Sequence, residues 1–284
     1  MSDTHPQHTL PQTGALSAKY RNPIFVIAAV ITCLTIFTAI AAPLLVPNDP
    51  YQANLSLRLA PPSLYYPMGN DALGRCLFSR IIIGVRTSIG LGVTVVVFSC
   101  MLGVVIGLLS GFTGGFVDEV LMRITDIFFS FPEILAAMAV AGLAGPGATN
   151  LLFAVSVVSW MRYARIVRGV TLSVKEREYV KYAHLSGVST NSIIFRHILP
   201  VNMSSVIVLA TIGLAKAILA VSSLGFLGFG VQPPEPELGT LLMEGKDYIM
   251  SAPHLCLYPG LAVMFPVLSF NILGDKLQDR FGGN

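Results

Sequence analysis

The sequence predicts an all-α integral membrane protein with six transmembrane helices. Three observations carry that prediction. Of 284 residues, 54% are hydrophobic and only 12% charged, whereas an average soluble domain carries about 25% charged residues. The 18 basic and 15 acidic side chains cannot dress a 30.4 kDa globule for water, and mean hydropathy is +0.71. The apolar residues also gather into long runs, and a spanning helix needs roughly 20 of them. The same composition excludes a disordered chain, a collagen and a disulfide scaffold. A net charge of +3, with no basic run interleaved with aromatics, gives no reason to expect nucleic acid as a partner.

Taken in order, residues 1–23 form an N-terminal tail. The first span is 24–46, uncharged throughout and closed by Pro47-Asn48-Asp49-Pro50. Ala39-Ile40-Ala41 has the form of a signal-peptidase site, but the run exceeds the roughly 7–15 residues of a signal core, so it reads as a retained anchor. Residues 47–86 form an outer loop. The second span is 87–111, and the third is 127–144, with Pro132 and Glu133 near its start. The fourth, 150–160, is the weakest because its apolar core is short before Arg162. The fifth and sixth are 201–227 and 255–273. Residues 87–275 thus form a core of five spans with an inner loop at 161–199, and 276–284 form a C-terminal tail.

Six spans place both termini on one side, and the distribution of Lys and Arg chooses the side. With the termini in the cytoplasm, inner segments hold twelve: Lys19, Arg21, Arg123, the seven from Arg162 to Arg196, Lys276 and Arg280. Outer segments hold five: Arg58, Arg75, Arg80, Arg86 and Lys246. Four arginines against Asp49 and Asp71 in the first outer loop are the one unfavourable detail. In the inner loop, Arg162, Arg165 and Arg168 fall on one helical stripe. They read either as topogenic charge beside anionic lipid or as a docking surface for a cytoplasmic partner. Gly103, Gly107 and Gly111 repeat every four residues in the second span, a spacing that lets helix backbones approach closely, within this chain or against another.

Catalytic chemistry is not expected. The sequence has no GxxxxGK[ST] phosphate loop, no HExxH helix and no GxSxG elbow. Outside the N-terminal tail its histidines, His184, His197 and His254, never pair at helical spacing. Cys33, Cys76, Cys100 and Cys256 form no CxxC pair, and they read as small buried hydrophobes. No metal and no cofactor are expected. Ionisable residues within spans are functional candidates by default. Lys216 sits mid-span, snorkelling to the outer interface, lining a substrate path, or partnering an acid such as Glu133. Glu133 itself follows Pro132, where a broken helix start would stabilise a carboxylate.

Glu178-Tyr179-Val180-Lys181-Tyr182-Ala183-His184-Leu185-Ser186-Gly187, followed by Arg196-His197-Ile198-Leu199-Pro200, resembles the "EAA" loop of ABC importer permeases. Ala183, Gly187, Leu199 and Pro200 match that pattern; Lys181 and Tyr182 stand where a glutamate and an alanine are usual. Met68 to Arg75 with Leu77-Phe78-Ser79-Arg80 is similar to the outer-loop signature of the dipeptide/oligopeptide/nickel subfamily. Gly111 to Asp118, Met122-Arg123, Asp126, Phe131-Pro132, Leu224 to Pro234 and Phe270 to Asp275 fit it as well. The resemblance covers nearly the whole chain and is to the C-type member of a permease pair.

The resemblance implies a type I importer permease fold in a bacterial cytoplasmic (inner) membrane. It implies a second related permease, two cytoplasmic ATP-binding subunits and an extracytoplasmic substrate-binding protein as partners. Glu178, Lys181, Tyr182, Ala183, Gly187, Leu199 and Pro200 would form the ATPase-coupling loop, with a short helix near 182–192. Lys216 and Glu133 are the candidate translocation-path residues. The expected cargo is small peptides (dipeptide or oligopeptide); nickel or a metal chelate is the alternative. A secondary transporter or channel working without ATP is a more distant reading, disfavoured because no internal repeat is evident. A membrane-embedded enzyme would need clustered His, Asp or Glu within the spans.

Overall fold

Proline and glycine decide where the apolar runs of this chain break. The computed structural model describes residues 23–281. The expected N-terminal tail, apart from Pro23, lies outside the described residues, as do 282–284 of the C-terminal tail. Helix α1 is Pro23–Leu45, and α2 is Leu77–Thr113. Helices α3 (Gly115–Phe129) and α4 (Glu133–Ala144) meet at a sharp bend, and α5 is Ala148–Lys175. A short α6, Glu178–Leu185, leads into α7, Thr190–Phe226, which contains a π turn at Ile194–Ile198. Helix α8 is Leu238–Gly245, and α9 is His254–Phe281.

Four helices among the described residues are long and apolar enough to cross a membrane: α1, α2, α7 and α9. The bent pair α3–α4 is a fifth if taken as one span. The expected third span is therefore not one straight helix: the chain turns by 91° between Phe129 and Glu133. Pro132 explains the break. It has no amide to donate, and it drives Phe131 away from helical geometry. The expected fourth span lies inside α5, which runs on through Arg162, Arg165 and Arg168 to Lys175. Helix α5 is 28 residues long, but these charges leave it outside the apolar set.

Helix α2 begins at Leu77, within the stretch expected as outer loop, because hydropathy registers only its apolar part. Its 37 residues rise about 55 Å, well beyond a hydrocarbon core of about 30 Å. Helices α2 and α5 form the most extensive pair, and the glycine stripe is the reason. A methyl group at Gly107 would lie 2.6 Å from the Ala164 carbonyl oxygen, and one at Gly111 2.8 Å from Thr171 Cβ. Gly103 is closed in the same way by Tyr163. The close approach that the stripe permits is thus made within the chain.

Helix α9 packs on α7 and α1, and α8 nests among α7, α9 and α2. One core cluster joins Leu77, Ile81 and Val85 of α2 to Ile218 of α7, Leu238 of α8 and Leu255 of α9. A second joins Val95 to Leu151 and Val155 of α5 and Leu224 of α7. A third, at the far end, holds Val174, Val180, Ile193 and Ile198. Large apolar side chains such as Ile40, Leu44 and Leu143 stay exposed in the isolated chain, an arrangement that suits lipid or a second subunit rather than water.

Candidate functional site

The connection between α5 and α7 is built from two turns around α6. Arg177 leaves α5 in extended geometry, and Glu178 opens α6 with an acidic side chain near the positive helix end. Val180 is buried against Val174, Ile193 and Ile198, and half-buried Ala183 packs on the same cluster. The helix expected near 182–192 is corrected: α6 ends at Leu185, and Gly187 turns the chain with φ +78. The Gly187 amide donates to His184 O (3.1 Å) and the Val188 amide to Ala183 O (3.1 Å). A left-handed residue after a helix is a common stop, best filled by glycine. Space around Gly187 is open, so its requirement is conformational.

Large apolar side chains stand out from this connection beside exposed Glu178, Lys181 and His184. Tyr182 is 67% exposed, Leu185 81% and Phe195 65%. Lys181 reaches back to Glu176 at 2.9 Å, and its ammonium holds that carboxyl below the usual carboxylate range. Leu199 and Pro200 do not break the chain as it turns back. Helix α7 runs straight through Pro200, and the π turn at Ile194–Ile198 lies immediately before it. A wider turn there relieves the clash that a proline ring makes with the carbonyl four residues earlier. Buried Asn202 donates to Ile198 O and to Thr171 Oγ1, tying α7 to α5.

The arginine stripe on α5 pairs, residue by residue, with acids of the bent pair. Arg162 meets Glu133 at 2.6 Å, Arg165 meets Asp126 at 2.6 Å, and Arg168 grips both Asp118 oxygens at 2.5 and 2.6 Å. The Ser110 hydroxyl also donates to Asp118, and Arg165 lies over the Phe129 ring at 4.0 Å. The stripe is therefore a three-rung ladder between α5 and the bent pair. Sequence reasoning missed Asp118 and Asp126 in this role. The acids sit about two helical turns apart and the arginines about one, so no shared period announces the pairing.

Lys216 and Glu133 do come together, on the wall of one open cavity of about 370 Å³. Glu133, however, is taken by Arg162 and by the Ser159 hydroxyl, which donates at 3.0 Å. The expectation that Lys216 pairs with Glu133 is thus corrected: among the described residues Lys216 has no ion pair or hydrogen bond. Ser223 and the apolar Ile134, Ala137 and Leu219 complete the wall that matters here.

At the opposite end, the first long connection is knitted by buried charge. Arg80, fully buried, reaches Glu244 (3.2 Å) and Asp71 (3.4 Å). Arg75 reaches the same two acids at 2.6 and 3.0 Å. Arg80 also donates to the carbonyls of Pro50 and Pro234 at 3.3 Å. Next to this cluster, buried Glu237 caps α8, accepting from the Thr240 amide (2.9 Å) and the Ser88 hydroxyl (2.7 Å). Tyr51 donates to Glu235 at 2.8 Å; partial burial and that carboxylate push its phenol upward. Glu244 and Glu237 carried no signal in the sequence as partners of Arg75, Arg80 and Ser88, which lie 169, 164 and 149 residues away. Among the described residues, no three His, Cys, Asp or Glu side chains stand close enough to share a metal ion.

Comparison with known proteins matches residues 103–282 to a family described as the binding-protein-dependent transport system inner membrane component. Residues 20–62 match the N-terminal TM domain of oligopeptide transport permease C. The chain is 38% identical over 269 residues to a dipeptide transport system permease protein of Alkalihalophilus pseudofirmus, covering 95% of this chain and 88% of the relative. It is 40% identical over 261 residues to a glutathione transport system permease protein of Pectobacterium atrosepticum, covering 91% and 86%. A dipeptide transport system permease protein of Haemophilus influenzae is 38% identical over 247 residues, covering 85% and 84%. A multi-helix body with a membrane's polarity, a short helix held out between two long ones and matches of this extent agree: the chain belongs to the family of inner membrane components of binding-protein-dependent transport systems.

Proposed function

We propose that this chain is the C-type permease subunit of an ATP-driven importer of small peptides in a bacterial inner membrane. The relatives named for dipeptide and glutathione transport favour peptides over nickel. In this reading the chain crosses the membrane six times, with α3–α4 and α5 as the two spans that hydropathy alone does not credit. Both termini are cytoplasmic. Burial of Arg75 and Arg80 in an ion network supports that orientation, since two of the outer arginines are neutralised by Asp71 and Glu244. A second, related permease completes the pathway. Two ATP-binding subunits supply the energy, and an extracytoplasmic binding protein delivers the cargo.

The observation that carries this reading is the apolar knob on α6, held out between α5 and α7. Tyr182 and Leu185 face outward while Val180 and Ala183 root the helix in the core. Such a helix suits a groove on an ATP-binding subunit: apolar contact gives affinity, and the root transmits displacement to two long helices at once. Glu178, Lys181, Tyr182, Ala183, Gly187, Leu199 and Pro200 form the coupling segment. Closure of the ATP-binding pair then shifts the spans between two access states, because the two ends bind differently in each. Lys216 and Glu133 line the path of the cargo. Gly187→Arg tests the coupling role. It leaves membrane insertion intact, but it forces a side chain into left-handed backbone and adds bulk at the knob. Peptide uptake by the complete transporter should be lost, and normal uptake overturns the assignment.

A further inference from the structure

The charges on the cavity between α4, α5 and α7 do not balance. Arg162 and Lys216 face it against the single carboxylate of Glu133, so the site is one positive charge in excess. Glu133 is already held by Arg162 and Ser159. Among the described residues Lys216 is left with no ion pair or hydrogen bond, and its side chain is exposed. It lies ten residues before Phe226, about 15 Å of rise from the end of its helix. An unpaired cation at that depth is costly and marks a pathway. Two hydroxyls, Ser159 and Ser223, share an otherwise apolar wall, and the volume falls within the range of small-ligand pockets, roughly 300–1,000 Å³.

We propose that Lys216 is the specificity-determining residue of the membrane pathway and that it binds the C-terminal carboxylate of the peptide in transit. This inference rests on the peptide reading of the preceding subsection. A free peptide carries a carboxylate at its C-terminus, and Lys216 supplies the unspent cation that complements it. The Arg162–Glu133 pair also fixes the acid in place, so that Lys216 cannot neutralise itself on it. A carboxylate of the cargo satisfies Lys216 only while the cargo is present, which makes the charge a selective one. A carboxylate on the second permease is the competing partner.

The test uses the complete transporter reconstituted in proteoliposomes with saturating binding protein and ATP inside the facing compartment of the ATP-binding subunits. Uptake of radiolabelled dialanine is compared with that of its C-terminal amide. The binding protein's own preference is the same for every variant, so a change in the acid-to-amide ratio reports the membrane pathway. Lys216→Met should lower dialanine uptake by roughly tenfold or more, as expected when a charge-assisted contact is removed. Amide uptake should fall far less, so the ratio collapses; Lys216→Arg should restore it. An unchanged ratio in the Lys216→Met complex overturns the assignment. So does loss of the second permease on purification of that variant, which would make Lys216 an assembly contact. A wild-type transporter that imports neither probe overturns the peptide reading itself, and this inference with it.

Discussion

The two ends of this molecule handle charge in opposite ways. At one end Asp71, Arg75, Arg80 and Glu244 form a closed network. The Arg75 and Asp71 side chains are 6% and 7% exposed, and Arg80 is wholly enclosed. On α5 the Arg165–Asp126 rung is open, with side chains 46% and 61% exposed. The distances are alike, so geometry does not distinguish them; the surroundings do. Removing one member of an enclosed network strands the others without water. An open rung loses only what solvent, lipid headgroup or a partner chain can replace. The closed network reads as a clamp that fixes the outer connection to α2 and α8. The open ladder reads as a seam along which the bent pair and α5 can separate and rejoin.

The largest effect should follow Arg80→Met. It leaves Asp71 and Glu244 with Arg75 alone and frees two carbonyls, and breaking a buried pair costs about 3–5 kcal/mol. Thermal unfolding of the purified transporter should show a clear drop, together with poorer yield in the membrane. A stability equal to wild type would mean that water reaches the network, and the contrast with the ladder would vanish.

Arg165→Gln is the intermediate case. An exposed pair is worth roughly 0–1 kcal/mol, so thermal stability should hardly move while uptake changes if the seam works during the transport cycle. A loss of stability as large as that of Arg80→Met would show that the ladder is enclosed in the assembled transporter. The smallest effect belongs to Glu176→Gln at the end of α5. Its carboxyl is held below the usual range by Lys181. The pair therefore contributes above the ordinary carboxylate value and is lost as pH falls through the lowered one. At neutral pH the variant should lose this small contribution, and below the lowered value it should behave as wild type. A melting-temperature difference that persists at the acid end would assign the residue a role other than this pair.

Helical spans were legible wherever the signal belonged to a single segment. The run at 24–46 became α1 almost residue for residue, because an uncharged stretch of that length needs no neighbour to define it. Asn150–Trp160 looked weak for the opposite reason: α5 is long because its charged half is satisfied by α3 and α4, which hydropathy cannot see. Pro132 flagged the bend, but not its 91°. Gly187 falls inside the helix expected near 182–192. The left-handed φ at that glycine ends it. Lys216 and Glu133 line one cavity, but the partner that Glu133 takes, Arg162, had no signal in the sequence.

Class of protein, placement of the main apolar helices and family membership follow from the amino-acid order alone. Hydropathy and motif spacing are properties of short segments and survive without a fold. Which charges meet was decided by tertiary structure. Arg80 and Glu244 are 164 residues apart, and Arg168 and Asp118 are 50 apart. Coulomb attraction and hydrogen bonding act through a few ångströms of space, and separation along the chain carries no trace of it. The unspent charge on Lys216 emerges only from that same accounting, once every other cation near it has found its acid.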